Sequence, residues 1–194
     1  MASLEQKRGI KTHLNWELIP YSESARYIAV ICDPKDVFVS NYFLPRRLAE
    51  GRFPPLKPGI GCSCPRIFCW AGSWAANAAG YWAQRHRPDV LVLSFKSMKR
   101  DLPGTVRRVA EFIGVNATEQ IIEDVCEQSS FAYMKRIDAK FSVWKLTPWS
   151  SDVNMMRKGA QGGSSELLNP EQQRHMDAYF IAELKRLGFR FALR

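Results

Sequence analysis

Apolar and polar positions along this chain follow two different periods. Residues 27–32, Tyr-Ile-Ala-Val-Ile-Cys, form a continuous apolar run that stops at Asp33 and Pro34, the mark of a strand buried on both faces. Residues 89–95 carry a second run through Val90, Leu91, Val92 and Leu93. After each run the spacing becomes helical. In residues 35–43, Val37 and Asn41 lie one turn apart, as do Phe38 and Tyr42, and Trp74, Ala78 and Trp82 share a face within residues 72–87. Behind Pro103, a stripe of Val106, Val109, Ala110, Phe112 and Ile113 ends at Gly114. Thr118 is placed to cap a helix that begins at Glu119. In the last helix Asn169 caps, Pro170 takes the first turn, and Met176, Tyr179, Phe180, Leu184 and Leu187 line one face up to Gly188. Strands alternating with helices predict an α/β fold, a three-layer parallel sheet with flanking helices.

Two stretches follow neither period. Residues 138–168 include a polar, Gly- and Ser-bearing segment from Met155 to Leu168 that reads as a long functional loop. Residues 44–70 are crowded with Pro and Cys and show no periodicity.

At 194 residues the chain fits one domain, residues 1–194, with ample length for a core. Its 46% hydrophobic content and 24% charged content exclude a disordered or low-complexity chain. No apolar run approaches the length needed to span a bilayer, and the N-terminal residues lack the apolar core of a secretory signal. The expectation is a cytoplasmic protein. The net charge of +9 is spread along the chain, which suits an anionic ligand without identifying it. Of the five cysteines, Cys62, Cys64 and Cys69 are clustered, while His13, His86 and His175 are scattered. That pattern predicts reduced thiols and no metal site.

Candidate anion chemistry lies at three places. The junction Asp33-Pro34-Lys35-Asp36 opens a helix with Ser40 on its first turns, where free N–H groups face the carboxyl end of a strand. Arg157, Lys158 and Gly159 offer two cations and a permissive backbone for gripping a phosphate. Lys11, Thr12 and His13 set a neutral-pH base beside a fixed positive charge. Singly, each has an ordinary account that outranks the functional one: a surface histidine, a solvated basic pair, a helix start.

Their order along the chain changes that ranking. Lys-Thr-His-Leu at residues 11–14, residues 33–43, the run from Val90 to Leu102, residues 109–115, Ser129-Ser130-Phe131 and the stretch from Met155 through Gly163 together resemble the cytosolic-type sulfotransferase family. The likeness covers most of residues 10–43 and 72–187. It implies a P-loop-kinase-like fold and transfer of a sulfuryl group from 3′-phosphoadenosine-5′-phosphosulfate (PAPS) to an acceptor hydroxyl or amine. Adenosine 3′,5′-bisphosphate is the product, and no metal takes part. On this resemblance His13 is the general base and Lys11 stabilises charge on the transferring group. Ser40 binds the 3′-phosphate. Ser129, Ser130, Phe131 and Met134 match the adenine side, and Met156, Arg157, Lys158 and Gly159 match the loop over the nucleotide. Transfer is in line and rests on positioning and electrostatics.

The chain departs from the family pattern in several places. Only nine residues precede Ile10, so a single, partial sulfotransferase domain is expected, lacking the family's N-terminal strand and phosphosulfate-binding loop. Cys32 stands where the family has an arginine of the 3′-phosphate site, Phe95 where it has a tyrosine, and Asn15 where a proline follows Lys-Thr-His-Leu. Residues 44–70 read either as an ordinary Pro-rich loop or, the favoured reading, as a frameshifted segment, since degenerate codons for residues 56–71 can spell a family-like helix in the shifted frame. The coding DNA tests this. Self-association is expected through uncovered sheet edges. The acceptor is expected to be a small molecule, with neither nucleic acid nor membrane as partner. The competing readings are a non-catalytic remnant that binds adenosine 3′,5′-bisphosphate and, ranked last, a generic polyanion-binding module.

Overall fold

A computed structural model describes residues 8–48, 73–140, 156–160 and 162–189. The described sheet has two parallel strands, β1 (Tyr27–Ile31) and β2 (Val90–Ser94), paired in register from Tyr27 against Val90 to Ile31 against Ser94. Each is slightly shorter than its apolar run. Cys32 lies past the end of β1, and Phe95 opens a helix instead of closing a strand.

The helices are α1 (Pro34–Leu48), α2 (Trp74–Ala83), α3 (Phe95–Arg100), α4 (Leu102–Phe112), α5 (Glu119–Gln128), α6 (Phe131–Ile137) and α7 (Pro170–Arg186). Polar side chains start four of them by satisfying free N–H groups. Asp101 accepts from Gly104, Thr118 from Ile121 and Ser130 from Tyr133. Asn169 and Gln172 bond each other's backbone reciprocally at the head of α7. Helix α1 continues through Leu48, into the stretch read above as aperiodic. The rest of that stretch, with its clustered cysteines and the frameshift expectation, lies outside the described residues.

The core lies where α7 crosses α2. Ala75, Ala78 and Ala79 are buried and small, so α7 comes in close with Met176, Phe180 and Leu184. The rings of Trp74 and Phe180 meet edge to face at 5.2 Å. Ile31, Val37 and Phe38 pack against the same cluster, which joins the end of β1 and the start of α1 to it. Lys35 adds an ion pair with Asp177 of α7 at 2.6 Å.

At the other end of the sheet, Tyr27 donates its N–H to the Asp89 carbonyl, and Arg87 holds the Asp89 carboxylate at 2.9 Å. The Arg87 guanidinium stacks over Tyr21 at 4.8 Å, and Trp16 meets Tyr27 edge on. One part of the sheet is left bare. Ile28 and Val30 are 42% and 46% exposed, although their neighbours in register, Leu91 and Leu93, are buried. No helix among the described residues is long and apolar enough to cross a membrane.

Candidate functional site

Residues 156–160 and 162–163 lie against α1 and α6, tied down at four points. The buried Asp138 carboxylate, just after α6, accepts the Met156 N–H at 2.8 Å. The Arg157 guanidinium sits 4.3 Å over the ring of Phe43 on α1. Gly159, at φ +62°, passes so close to Phe131 that a Cβ on it would fall 2.1 Å from the ring. Gly162 donates its N–H to both oxygens of Asp36, at 3.1 and 3.2 Å, in the first turn of α1. Ser40 is exposed on α1, three residues before Phe43 and so on the same face. Ser40, Arg157, Gly159 and Phe131 therefore belong to one locality, assembled from segments far apart in the chain.

The charges here are already engaged. Arg157 and Lys158 both pair with Glu166, at 2.7 and 2.8 Å. Hydrogen bonds from Arg157 first, and then from Lys158, hold the Glu166 carboxyl down to about 2. A group with a depressed pKa contributes stability above its ordinary value and loses it as pH falls through the folded value. Between pH 4.5 and about 2, the wild-type protein should therefore lose stability that Glu166→Gln does not lose. Urea midpoints measured across that window give the comparison; parallel curves would show that the two ion pairs contribute nothing. The same geometry shows what the pair can hold, because a phosphate offers Arg157 and Lys158 the anionic oxygens that Glu166 supplies.

The other expected residues sit differently. Ser130 caps α6, so its hydroxyl has a structural partner, and Ser129 ends α5. Met134 is half-buried on α6, three residues from Phe131 and on its face. Lys11 and His13 are exposed, and the chain beside them runs along α2, where Asn77 and Tyr81 donate to the Leu14 carbonyl at 3.2 Å. Among the described residues, no hydrogen bond or ion pair joins Lys11 or His13 to Ser40, Phe131 or Arg157. Burial, and then Asp36 and Asp33, push the Cys32 thiol up. It stays neutral and supplies no cation at the end of β1.

Phe43, Asp138 and Glu166 were not legible as site residues, and Asp36 was read as part of the helix-opening junction but not as the partner of Gly162. Only the Ser40-to-Phe43 spacing carried a signal. The described residues hold no cluster of His, Cys, Asp or Glu able to bind a metal.

Gly159 packs directly against the Phe131 ring, where a side chain would clash, and the two cations Arg157 and Lys158 precede it in the loop.

A family model described as a sulfotransferase domain matches residues 1–188. Luciferin sulfotransferase from Photinus pyralis is 33% identical over 144 residues, covering 70% of this chain and 37% of that protein. Sulfotransferase 2A6 from Mus musculus is 28% identical over 97% of this chain and 67% of its own length. Among solved structures, a mouse sulfotransferase complexed with PAP superposes with a TM-score of 0.72 at 24% identity, over 92% of this chain and 66% of that one. Retinol dehydratase in a complex with retinol and PAP gives 0.78 at 24% identity, over 98% of this chain and 57% of that one. The chain thus spans between about a third and two thirds of the length of these relatives.

Proposed function

The chain belongs to the sulfotransferase family, and from that premise we propose that it is a PAPS-dependent sulfotransferase acting on a small-molecule hydroxyl or amine in the cytoplasm. One observation carries the proposal. Residues 156–159 are pinned between Asp138, Phe43 and Phe131, and this sets Arg157 and Lys158 beside the Ser40 face of α1.

When bound, PAPS supplies an activated sulfuryl group. Arg157 and Lys158 turn from Glu166 to the 3′-phosphate, and the Ser40 hydroxyl donates to it. Phe131, with Met134 on the same face, offers an apolar surface to the adenine. Ser129 and Ser130 shape the approach to that surface through the turn between α5 and α6. Met156, held by Asp138, fixes where the loop begins. An imidazole nitrogen of His13 takes the proton from the acceptor, and Lys11 lowers the cost of the charge that builds up.

Calorimetric titration with adenosine 3′,5′-bisphosphate, with 5′-AMP as control, tests the half-site. The expected result is binding of the bisphosphate at least tenfold tighter than 5′-AMP. Equal affinity in a folded sample would remove the 3′-phosphate site from the proposal. A second reading, a non-catalytic binder of the bisphosphate, is favoured by the exposure of Lys11 and His13. Selective binding with no sulfuryl transfer from PAPS to a panel of phenols, alcohols and amines would establish it.

The bare apolar side chains of Ile28 and Val30 also support self-association. Sedimentation velocity should show concentration-dependent dimers or larger species, reduced in an Ile28→Thr/Val30→Thr double variant. A monomer at all concentrations would count against this part of the proposal.

A further inference from the structure

A cavity lies against the Asp36–Gly162 contact, and both residues line it. It is a cleft of about 1030 Å³ that runs along β2 toward the turn into α3 and α4, and neither Ser40, Phe131 nor Arg157 lines it. Its charged lining comes from three separate elements. Arg85 follows α2, Lys96 and Arg100 lie one turn apart on α3, and Arg108 is on α4. Among the described residues, none of these four cations has a carboxylate partner.

The carboxylates that also line the cleft are already committed to backbone donors. Asp33 accepts from Lys35, Asp36 from Gly162, and Asp101 from Gly104. Neutral N–H donors leave the charge of these carboxylates in place, so the lining sets three carboxylates against those four cations and Lys35, itself paired with Asp177, and the excess is positive. The walls between the cations are apolar. Ile31, Val92, Trp82 and Met98 all line the space and are half-buried. Arg85 is steadied there by donating to the Trp82 carbonyl at 2.9 Å and lying 4.9 Å over the Trp82 ring.

We infer that this cleft is a binding site for an amphiphilic anion, an apolar ring system or chain carrying a sulfonate, sulfate, phosphate or carboxylate head. The apolar walls take the body, and Lys96, Arg100 and Arg108 take the head. A cleft of this size suits a small organic molecule, and paired apolar and charged linings are how such sites fix orientation. A neutral ligand would gain only the walls. An inorganic anion would gain only exposed charges, whose attraction is screened by salt. The cleft shares Asp36 and Gly162 with the anchor of the loop that carries Arg157 and Lys158, while the three cations that take the head lie away from that loop, so excess bisphosphate separates the two sites.

The test titrates the full chain with 1-naphthalenesulfonate and, as its uncharged counterpart, 1-naphthalenesulfonamide, each with and without excess adenosine 3′,5′-bisphosphate. The sulfonate should bind at least tenfold tighter than the sulfonamide, and excess bisphosphate should leave that affinity unchanged. The triple variant Lys96→Gln, Arg100→Gln, Arg108→Gln should lose at least tenfold for the sulfonate and nothing for the sulfonamide. All three residues are exposed, so folding should survive, and raising salt on the wild-type protein gives a second readout without any substitution. Equal affinity for the two probes would overturn the inference, as would a sulfonate affinity indifferent to the three substitutions and to salt. Competition by the bisphosphate would reassign the anion to Arg157 and Lys158, and would overturn it too.

Discussion

Gly159→Ala should weaken binding of adenosine 3′,5′-bisphosphate by ten- to a hundredfold. Two penalties act together. The backbone at Gly159 has φ +62°, a left-handed conformation that costs an alanine about 1–2 kcal/mol. The new methyl would also fall 2.1 Å from the Phe131 ring, so the ring must leave its place. Relaxing the loop would relieve both, but only by moving Arg157 and Lys158, the two residues just before the glycine. The loss should therefore be in nucleotide affinity more than in stability. Gly188→Ala separates the two penalties, because Gly188 has φ +80° and nothing within 4 Å of an added Cβ. It should lower the urea midpoint and leave nucleotide affinity alone. If Gly159→Ala bound the bisphosphate as tightly as wild type, the loop would not be part of the site.

Phe180→Ala should be the most damaging single change to the fold, with a cost of about 3–5 kcal/mol. Phe180 is 4% exposed, lies at the centre of the α2–α7 contact and meets Trp74 edge to face at 5.2 Å. The alanines around it on α2 are short and cannot collapse into the space it leaves. A loss of that size is a large share of a domain stability of about 5–15 kcal/mol. Ile181→Ala is the matched control. Its side chain is 40% exposed on the same helix, and it should change stability by about 0.5 kcal/mol or less. Urea denaturation measures both; comparable losses would mean that α7 does not pack as described.

The helices and strands were legible because their signals are local. The apolar runs marked β1 and β2, the caps at Thr118 and Asn169 marked where α5 and α7 begin, and the stripe from Met176 to Leu187 marked the face of α7 that is buried. The ends were less legible. Phe95 starts α3 because Ser94 already has extended backbone at a helix N-cap, and hydrophobicity does not register that change. Helix α1 runs on into residues that looked aperiodic, since a helix end needs no apolar stripe to hold it.

The site divides the same way. Arg157, Lys158, Gly159, Ser40 and Phe131 were recognisable by type and order, because residue types that can hold a phosphate or an adenine are few. Their partners were not. Asp138, eighteen residues before Met156, and Asp36, 126 residues before Gly162, are unremarkable carboxylates in sequence. They matter because folding brings a free N–H to each. Glu166 is the plainest case. Nothing along the chain shows that it neutralises both cations of the loop, and that fact alone decides what an incoming anion must displace.

By itself, the sequence determined the α/β class and the family, since each depends on local period or on the order of residue types along the chain. Only the tertiary structure decided that β1 pairs directly with β2, that the loop packs onto α1 and α6, and that Leu14, next to His13, is held by Asn77 and Tyr81 of α2. Those facts depend on contacts between segments far apart in the chain, and no local pattern encodes the distance between them.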